Sequence, residues 1–153
     1  MREIKYRALA KVTYNYETHN SQYNIKEGDW VFGYYYRDVL DNEDSCSYFH
    51  VNYIRMEYGD HYGDIEVDGG TVGQFTGCIN KQDVEIYEGD IVEDSPNYKY
   101  VSGEYIHGVV VSHYYKFVVS YTHPDGKVFY DELDSSFIVV GNIHQHAHLL
   151  ETK

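Results

Sequence analysis

Three histidines near the C-terminus, His144, His146 and His148, occupy every second position. On an extended strand they would project from one face, as imidazole ligands of Zn²⁺ or Ni²⁺ do. A structural zinc site needs four ligands and an ordered surrounding shell. These three lie within the last ten residues, where order is least expected, so a solvated segment is the expectation and no metal is assigned. Asp64, Glu66 and Asp68 alternate in the same way against Ile65 and Val67, a stripe of carboxylates on one strand face. Such a stripe could bind a divalent cation or imitate a row of phosphates. The plainer reading is the wet face of an amphipathic strand, where like charges also discourage edge-to-edge aggregation. The cluster Asp41-Asn42-Glu43-Asp44 lacks the loop pattern and distal Glu of an EF-hand and reads as a surface loop.

Nucleophilic catalysis finds little support. There is no G-x-S-x-G elbow, and Cys46 follows Asn42-Glu43-Asp44-Ser45, whose carboxylates oppose thiolate formation. No Walker A loop and no G-x-G-x-x-G after a strand is present. Catalytic residues and cofactors are therefore assigned to none, and a non-enzymatic protein is expected. The two cysteines, Cys46 and Cys78, give neither a disulfide framework nor a C-x-x-C zinc pair, and a bridge between them is unsupported.

Binding chemistry is better represented. Trp30, Phe32, Tyr34, Tyr35 and Tyr36 fall within seven residues, and three consecutive tyrosines must turn at least one ring away from the face that its neighbours bury. Tyr114-Tyr115 is a similar pair. Together with the carboxylate stripe, these define a candidate interaction surface of Trp30, Tyr34, Tyr35, Tyr36, Asp64, Glu66 and Asp68, to be shared with a second copy or with a host or phage protein. The formal charge is −13, which argues against direct nucleic-acid binding through phosphates. Its distribution is uneven: Arg2, Lys5, Arg7 and Lys11 against Glu3 give the first eleven residues +3 and leave −16 on the remainder. A basic leading edge strand facing the acidic surface of another copy would favour a homo-oligomer. The charge excess also admits an acidic DNA mimic that blocks a basic host protein, and the histidines admit metal-assisted hydrolysis.

The elements that position these groups are strands. Helical periodicity is absent, and short alternating apolar runs are broken by Gly, Asn and Asp. The pattern predicts strands at Ile4–Ala8, Val12–Tyr16, Trp30–Tyr36, Ser47–Val51, Ile65–Val67 and Thr71–Phe75. In the second half it predicts Ile91–Glu93, Gly108–His113, Phe117–Tyr121, Lys127–Tyr130 and Phe137–Val140. The 19 tyrosines among 153 residues are first of all a strand signal. His123-Pro124-Asp125-Gly126 reads as a hairpin turn, Asn80-Lys81-Gln82-Asp83 as a polar turn, and Asp134-Ser135-Ser136 as one weak helical turn. The heptads Ile25–Val31 and Ile86–Val92 share I-x-E-G-D-x-V, a turn in which Gly reaches positive φ and Asp ties local amides before an apolar strand enters a core. No apolar run reaches the ~20 residues of a membrane span, and the opening MREIKYRALAKVTYN lacks a secretory apolar stretch, so a cytoplasmic protein without membrane contact is expected.

The run Gln74–Glu93, QFTGCINKQDVEIYEGDIVE, resembles the signature of the YopX family of phage and prophage proteins. The opening Met1–Ala8, the element Asp29–Tyr34 and the ending Phe137–Ile143 with Leu149-Leu150 resemble the family's remaining motifs in the same order. Cys78 and the stretch His144–His148 depart from the usual pattern without touching the glycine turns. The resemblance implies an all-β protein of a bacterial host cell, with an SH3-like barrel over 74–153 behind an N-terminal β region over 1–73, the two standing as separate domains or as one continuous unit. It carries no catalytic residue or cofactor across.

Overall fold

The computed structural model describes residues 4–17, 22–42, 47–58, 61–93, 107–122 and 125–151. Cys46, Glu43, Asp44, Arg2, His123 and Pro124 lie outside them. The described chain is all-β: thirteen strands, two short 3-10 turns and no α-helix. Two compact units divide essentially at residue 74.

The first unit contains β1 (Tyr6–Leu9), β2 (Tyr14–Glu17), β3 (Gln22–Ile25), β4 (Trp30–Asn42), β5 (Ser47–Tyr58) and β6 (His61–Val67). An antiparallel sheet runs in the order β6-β5-β4-β1, and β2 pairs with β3 as a hairpin. On the inner face of the sheet, Ala8, Ala10, Val31, Ile54, Ile65 and Val67 are buried, and Tyr14 and Ile25 of the hairpin pack against them with Tyr6, Tyr35 and Met56. Each fully buried Val or Ile adds about 1.5–3 kcal/mol of driving force. The Tyr14 hydroxyl also accepts the Glu66 amide at 2.9 Å, tying the hairpin to the outer edge of β6. Strands β4 and β5 run well past Tyr36 and Val51, because their pairing continues from Tyr34↔Arg55 to Asn42↔Ser47. Backbone pairing with a neighbour overrides the low strand preference of Asp and Asn in this stretch.

The expected basic edge strand is not an edge. Strand β1 pairs with β4 on one side, and on the other its Tyr6 and Arg7 pair with Gln74 and Gly73. The expected strand at Thr71 begins only at Gly73: residues Gly69–Thr71 form a 3-10 turn capped by the Asp68 side chain, which accepts the Gly70 amide at 2.9 Å. Thr71 in turn accepts the Leu9 amide at 2.9 Å.

The second unit contains β7 (Gly73–Ile79, whose first two residues belong to the first unit), β8 (Glu85–Tyr87), β9 (Asp90–Glu93), β10 (His107–His113), β11 (Lys116–Thr122), β12 (Val128–Glu132) and β13 (Ile138–Asn142). Five of them form an antiparallel sheet in the order β12-β11-β10-β9-β13, and β7 pairs with β8. The core is Ile86, Val92, Val110, Val119, Tyr121 and Phe137, with Cys78, Phe117, Leu133 and Val139 against it. An SH3-like barrel was the expectation, but this sheet is open: β12 and β13 are its two edges and are not joined to one another. Asn80 builds the polar turn as expected, its side-chain oxygen accepting the Gln82 and Val84 amides at 2.9 and 3.0 Å. Asp134–Ser136 is a turn and not a helix; Asp134 accepts the Ser136 amide at 2.6 Å.

The repeated heptad is a repeated structure. Gly28 and Gly89 sit at φ 86° and 83°, where any other residue is strained. Asp29 accepts the Lys26 amide at 2.8 Å, and Asp90 accepts the Tyr87 amide at 2.8 Å. The Gly28 amide donates to the Ala10 carbonyl at 2.8 Å, and the Gly89 amide to the Val110 carbonyl at 2.9 Å. The surroundings differ: Asp29 is exposed and Asp90 is 1% exposed. A buried amide left without an acceptor costs its full desolvation. Asp90→Ala should therefore destabilise by about 2–3 kcal/mol and Asp29→Ala by about 0.5–1 kcal/mol in urea unfolding. Equal costs for the two would contradict this account.

Candidate interaction surfaces

Strand alternation sends Trp30, Phe32, Tyr34 and Tyr36 of β4 to the outer face of the first unit's sheet, opposite the core. The register then assembles rows across three strands. Tyr34 lies beside Arg55 and Arg55 beside Asp64; Tyr36 lies beside Tyr53 and Tyr53 beside Glu66. Five of the seven residues expected to form an interaction surface, Trp30, Tyr34, Tyr36, Asp64 and Glu66, thus share one face. The other two do not. Tyr35 points to the inner face, where its hydroxyl donates to Asn52 at 2.8 Å, and Asp68 caps its own turn.

Within this face, charge and aromatic rings are locked together. The Arg55 guanidinium grips Asp64 through two bonds of 2.8 and 2.9 Å and lies 5.4 Å from the centre of the Tyr36 ring. Tyr36 and Tyr53 stack at 5.3 Å. The Arg55 hydrogen bonds hold the Asp64 carboxyl below its usual range; burial opposes them and the Tyr36 hydroxyl adds to them. Burial, followed by the Asp64 charge, pushes the Tyr36 phenol up, and burial followed by Glu66 does the same for Tyr53. Glu66 is paired with Lys11 at 3.0 Å.

Each carboxylate of the stripe therefore has its own occupation: Asp64 with Arg55, Glu66 with Lys11 and Asp68 with a backbone amide. The described cations of the leading segment, Lys5, Arg7 and Lys11, are also engaged. Arg7 lies 4.5 Å over the Trp30 ring, Lys5 lies 5.9 Å from the Phe32 ring, and Lys11 holds Glu66. Among the rings of this face, Tyr34 and Tyr62 are exposed by 61% and 63%.

The second unit carries another aromatic surface. His113 and Lys116 flank a two-residue turn made by Tyr114 and Tyr115, both at positive φ, 44° and 69°. Such turns normally take Asn or Gly at these positions, so two tyrosines store strain there. Both rings project into solvent. The His113 ring stacks on Tyr130 at 4.2 Å and meets Tyr114 edge-on at 4.4 Å. Beyond Tyr130, all of β12 is exposed. The pair Tyr114-Tyr115 is visible in the sequence. The exposure of Phe129 and Tyr130 is not, because a run V-F-Y looks the same in a central strand as at an edge.

The C-terminal histidines do not lie on a strand. Strand β13 ends at Asn142, and residues 143–145 turn. The Asn142 side chain organises this turn by accepting the His144 and Gln145 amides at 3.1 and 2.9 Å. His146 packs over Gly141 and accepts the Asn142 amide at 3.3 Å, and its ring lies 6.3 Å from that of His148. The alternation that would have placed three imidazoles on one face is thus lost. No group of three His, Cys, Asp or Glu suited to a metal ion occurs among the described residues. Cys78 is free and half-buried; burial, with Asp134 nearby, pushes its thiol up and away from the reactive thiolate.

Fold and surfaces together define an all-β protein of antiparallel sheets with aromatic rings exposed on each unit. No helix among the described residues is long and apolar enough to cross a membrane. The chain belongs to the YopX family: the family model described as YopX protein matches residues 5–151. Among solved structures it is similar to protein EF1440 from Enterococcus faecalis, at 21% identity over 99% of this chain and 100% of that chain, with a TM-score of 0.41. No curated protein matches.

The Asp64 pairing has a definite pH signature. A carboxyl held below its unfolded value adds stability above that value and loses it as pH falls through the folded one. Because the pair is exposed, screening keeps the effect small. Asp64→Asn should lower the Tm by about 1–3 °C at pH 7, with the gap closing as pH falls below the ordinary carboxylate range. A gap independent of pH in thermal melts would show that Asp64 acts through packing alone.

Proposed function

We propose that this chain is a non-enzymatic protein-interaction module of phage or prophage origin that self-associates and acts inside the bacterial host cell. The observation that carries the reading is the exposure of large aromatic side chains in both units: Tyr34 and Tyr62 on strands of the first, and Phe129 and Tyr130 on β12 and Tyr114 and Tyr115 in the β10–β11 turn of the second. Exposed apolar patches of this kind mark association sites, and Tyr supplies much of the energy at such sites. Anchoring supports the same reading: Tyr36 is stacked on Tyr53 and clamped by the Arg55–Asp64 pair, so little side-chain entropy remains to be lost on binding. The outer face of the first sheet is the surface offered to a host or phage protein. The open five-stranded sheet of the second unit is read as a relative of small SH3-like barrels in which the closing contact is not made; its antiparallel order and the β-bulge between Val139 and Gly141 support this.

Light scattering on the purified chain tests the proposal. A mass above that of one chain is expected at micromolar concentration, falling toward one chain on dilution. A single-chain mass up to about 100 μM would place any dissociation constant above the range of a functional homo-oligomer and overturn self-association.

A further inference from the structure

Strand β12 closes one side of the five-stranded sheet, and no strand lies beyond it among the described residues. Its apolar side chains are about half exposed: Val128 by 48%, Phe129 by 53% and Tyr130 by 48%. Monomeric proteins blunt such edges with charged side chains, proline or a bulge; this edge carries an unbroken Val-Phe-Tyr run before its two charged residues, Asp131 and Glu132.

The direction of its backbone groups follows from the preceding hairpin. The two-residue turn makes His113 and Lys116 a hydrogen-bonded pair, and bonding alternates from there. Val118 and Ser120 then bond to β10, whereas Val119 and Tyr121 bond to β12 at Asp131 and Phe129. The Val110 carbonyl, which faces away from β11 and accepts the Gly89 amide, follows the same alternation. The amides and carbonyls of Val128, Tyr130 and Glu132 therefore point outward from the sheet.

We propose that β12 is the surface through which two copies of this chain associate, pairing antiparallel about a two-fold axis that passes beside Phe129. The proposal rests on the self-association proposed above and names its site. An axis perpendicular to the sheet keeps each side chain on its own face, so opposed residues must be separated by an even number of positions. With the axis at Phe129, Val128 meets Tyr130 of the partner subunit and Lys127 meets Asp131 of the partner subunit, each contact occurring twice. With the axis at Tyr130, Phe129 would meet Asp131 of the partner subunit and Val128 would meet Glu132 of the partner subunit, setting apolar groups against carboxylates. Cross-strand apolar and opposite-charge pairs favour the first register. Lys127 holds Asp125 at 2.8 Å in an exposed pair, which a flexible lysine exchanges for a new partner at little cost.

Sedimentation equilibrium on the full chain provides the test, with circular dichroism confirming the fold of each variant. Tyr130→Pro removes an outward amide at an edge position where proline is tolerated, and should weaken association about tenfold or more. Lys127→Glu should weaken it about three- to tenfold by setting two carboxylates against each other, and Lys127→Glu with Asp131→Lys should restore it to within about twofold. A dimer of unchanged strength in Tyr130→Pro, or a charge swap that rescues nothing, overturns the assignment to β12; if Tyr130→Pro does not fold, the charge swap decides alone. A monomeric wild type overturns self-association itself, whereas a dimeric wild type indifferent to every variant overturns only the site.

Discussion

An aspartate that accepts the amide three residues behind it fixes the entry of strands into both cores. Asp90 closes the turn between β8 and β9, and the chain then delivers Ile91 and Val92, both fully buried, into the second unit. Asp29 does the same before Trp30 and Val31 in the first. The turn requires a glycine at positive φ, because the chain must reverse within one residue while its amide still reaches a neighbouring strand. Given that geometry, the strand leaves in a set direction and its alternation decides which side chains face in. The outer aromatic face of β4 is a consequence: once Val31 is committed to the core, Trp30, Phe32, Tyr34 and Tyr36 must face away from it.

Charge on that face is organised by neutralisation within the chain. Lys5 and Arg7 cover aromatic rings, Lys11 pairs with Glu66, and Arg55 neutralises Asp64. A cation over a ring is worth about 0.5–2 kcal/mol, depending on its desolvation, and Arg7 over Trp30 is well buried. The face therefore presents aromatic surface on which Asp64 and Glu66 are already paired, with Asp38 and Glu57 exposed beside it. Asp64 and Glu66 thus differ from a row of free carboxylates.

Much of the fold was legible because its signals are local. Alternation placed most of the strands, and the I-x-E-G-D-x-V heptads announced both the positive-φ glycines and the aspartate bonds. Nonlocal facts were not legible. Asp38, Asp41 and Asn42 look like loop residues, yet they lie in β4 because β5 pairs alongside them. Sheet order was equally hidden: four cations in eleven residues suggested an edge, but β1 is flanked on both sides. The same blindness affected the candidate surfaces. Alternation of Asp64 and Glu66 survives because they lie on a strand, whereas alternation of His144, His146 and His148 fails because Asn142 turns the chain before them. Tyr35 and Tyr36 are adjacent in sequence and lie on opposite faces of one sheet, which only the phase of the strand decides.

The net charge of −13 bears directly on how copies of this chain can meet. Two bodies of like charge repel, and at physiological ionic strength the repulsion is screened beyond about 8 Å. Within the leading segment, Arg7, Lys5 and Lys11 are already placed against Trp30, Phe32 and Glu66 of the same chain. Self-association as proposed would then rest on short-range terms that survive screening: burial of apolar rings and backbone hydrogen bonds, with ion pairs serving to fix register. An edge strand rich in apolar residues supplies both of the first two. The strained Tyr114-Tyr115 turn holds its rings in solvent at the end of the same sheet, where His113 braces Tyr130. At the β12 edge, exposed apolar side chains and outward backbone groups lie together, so hydrogen bonding and apolar burial can act jointly there against the repulsion of two acidic chains.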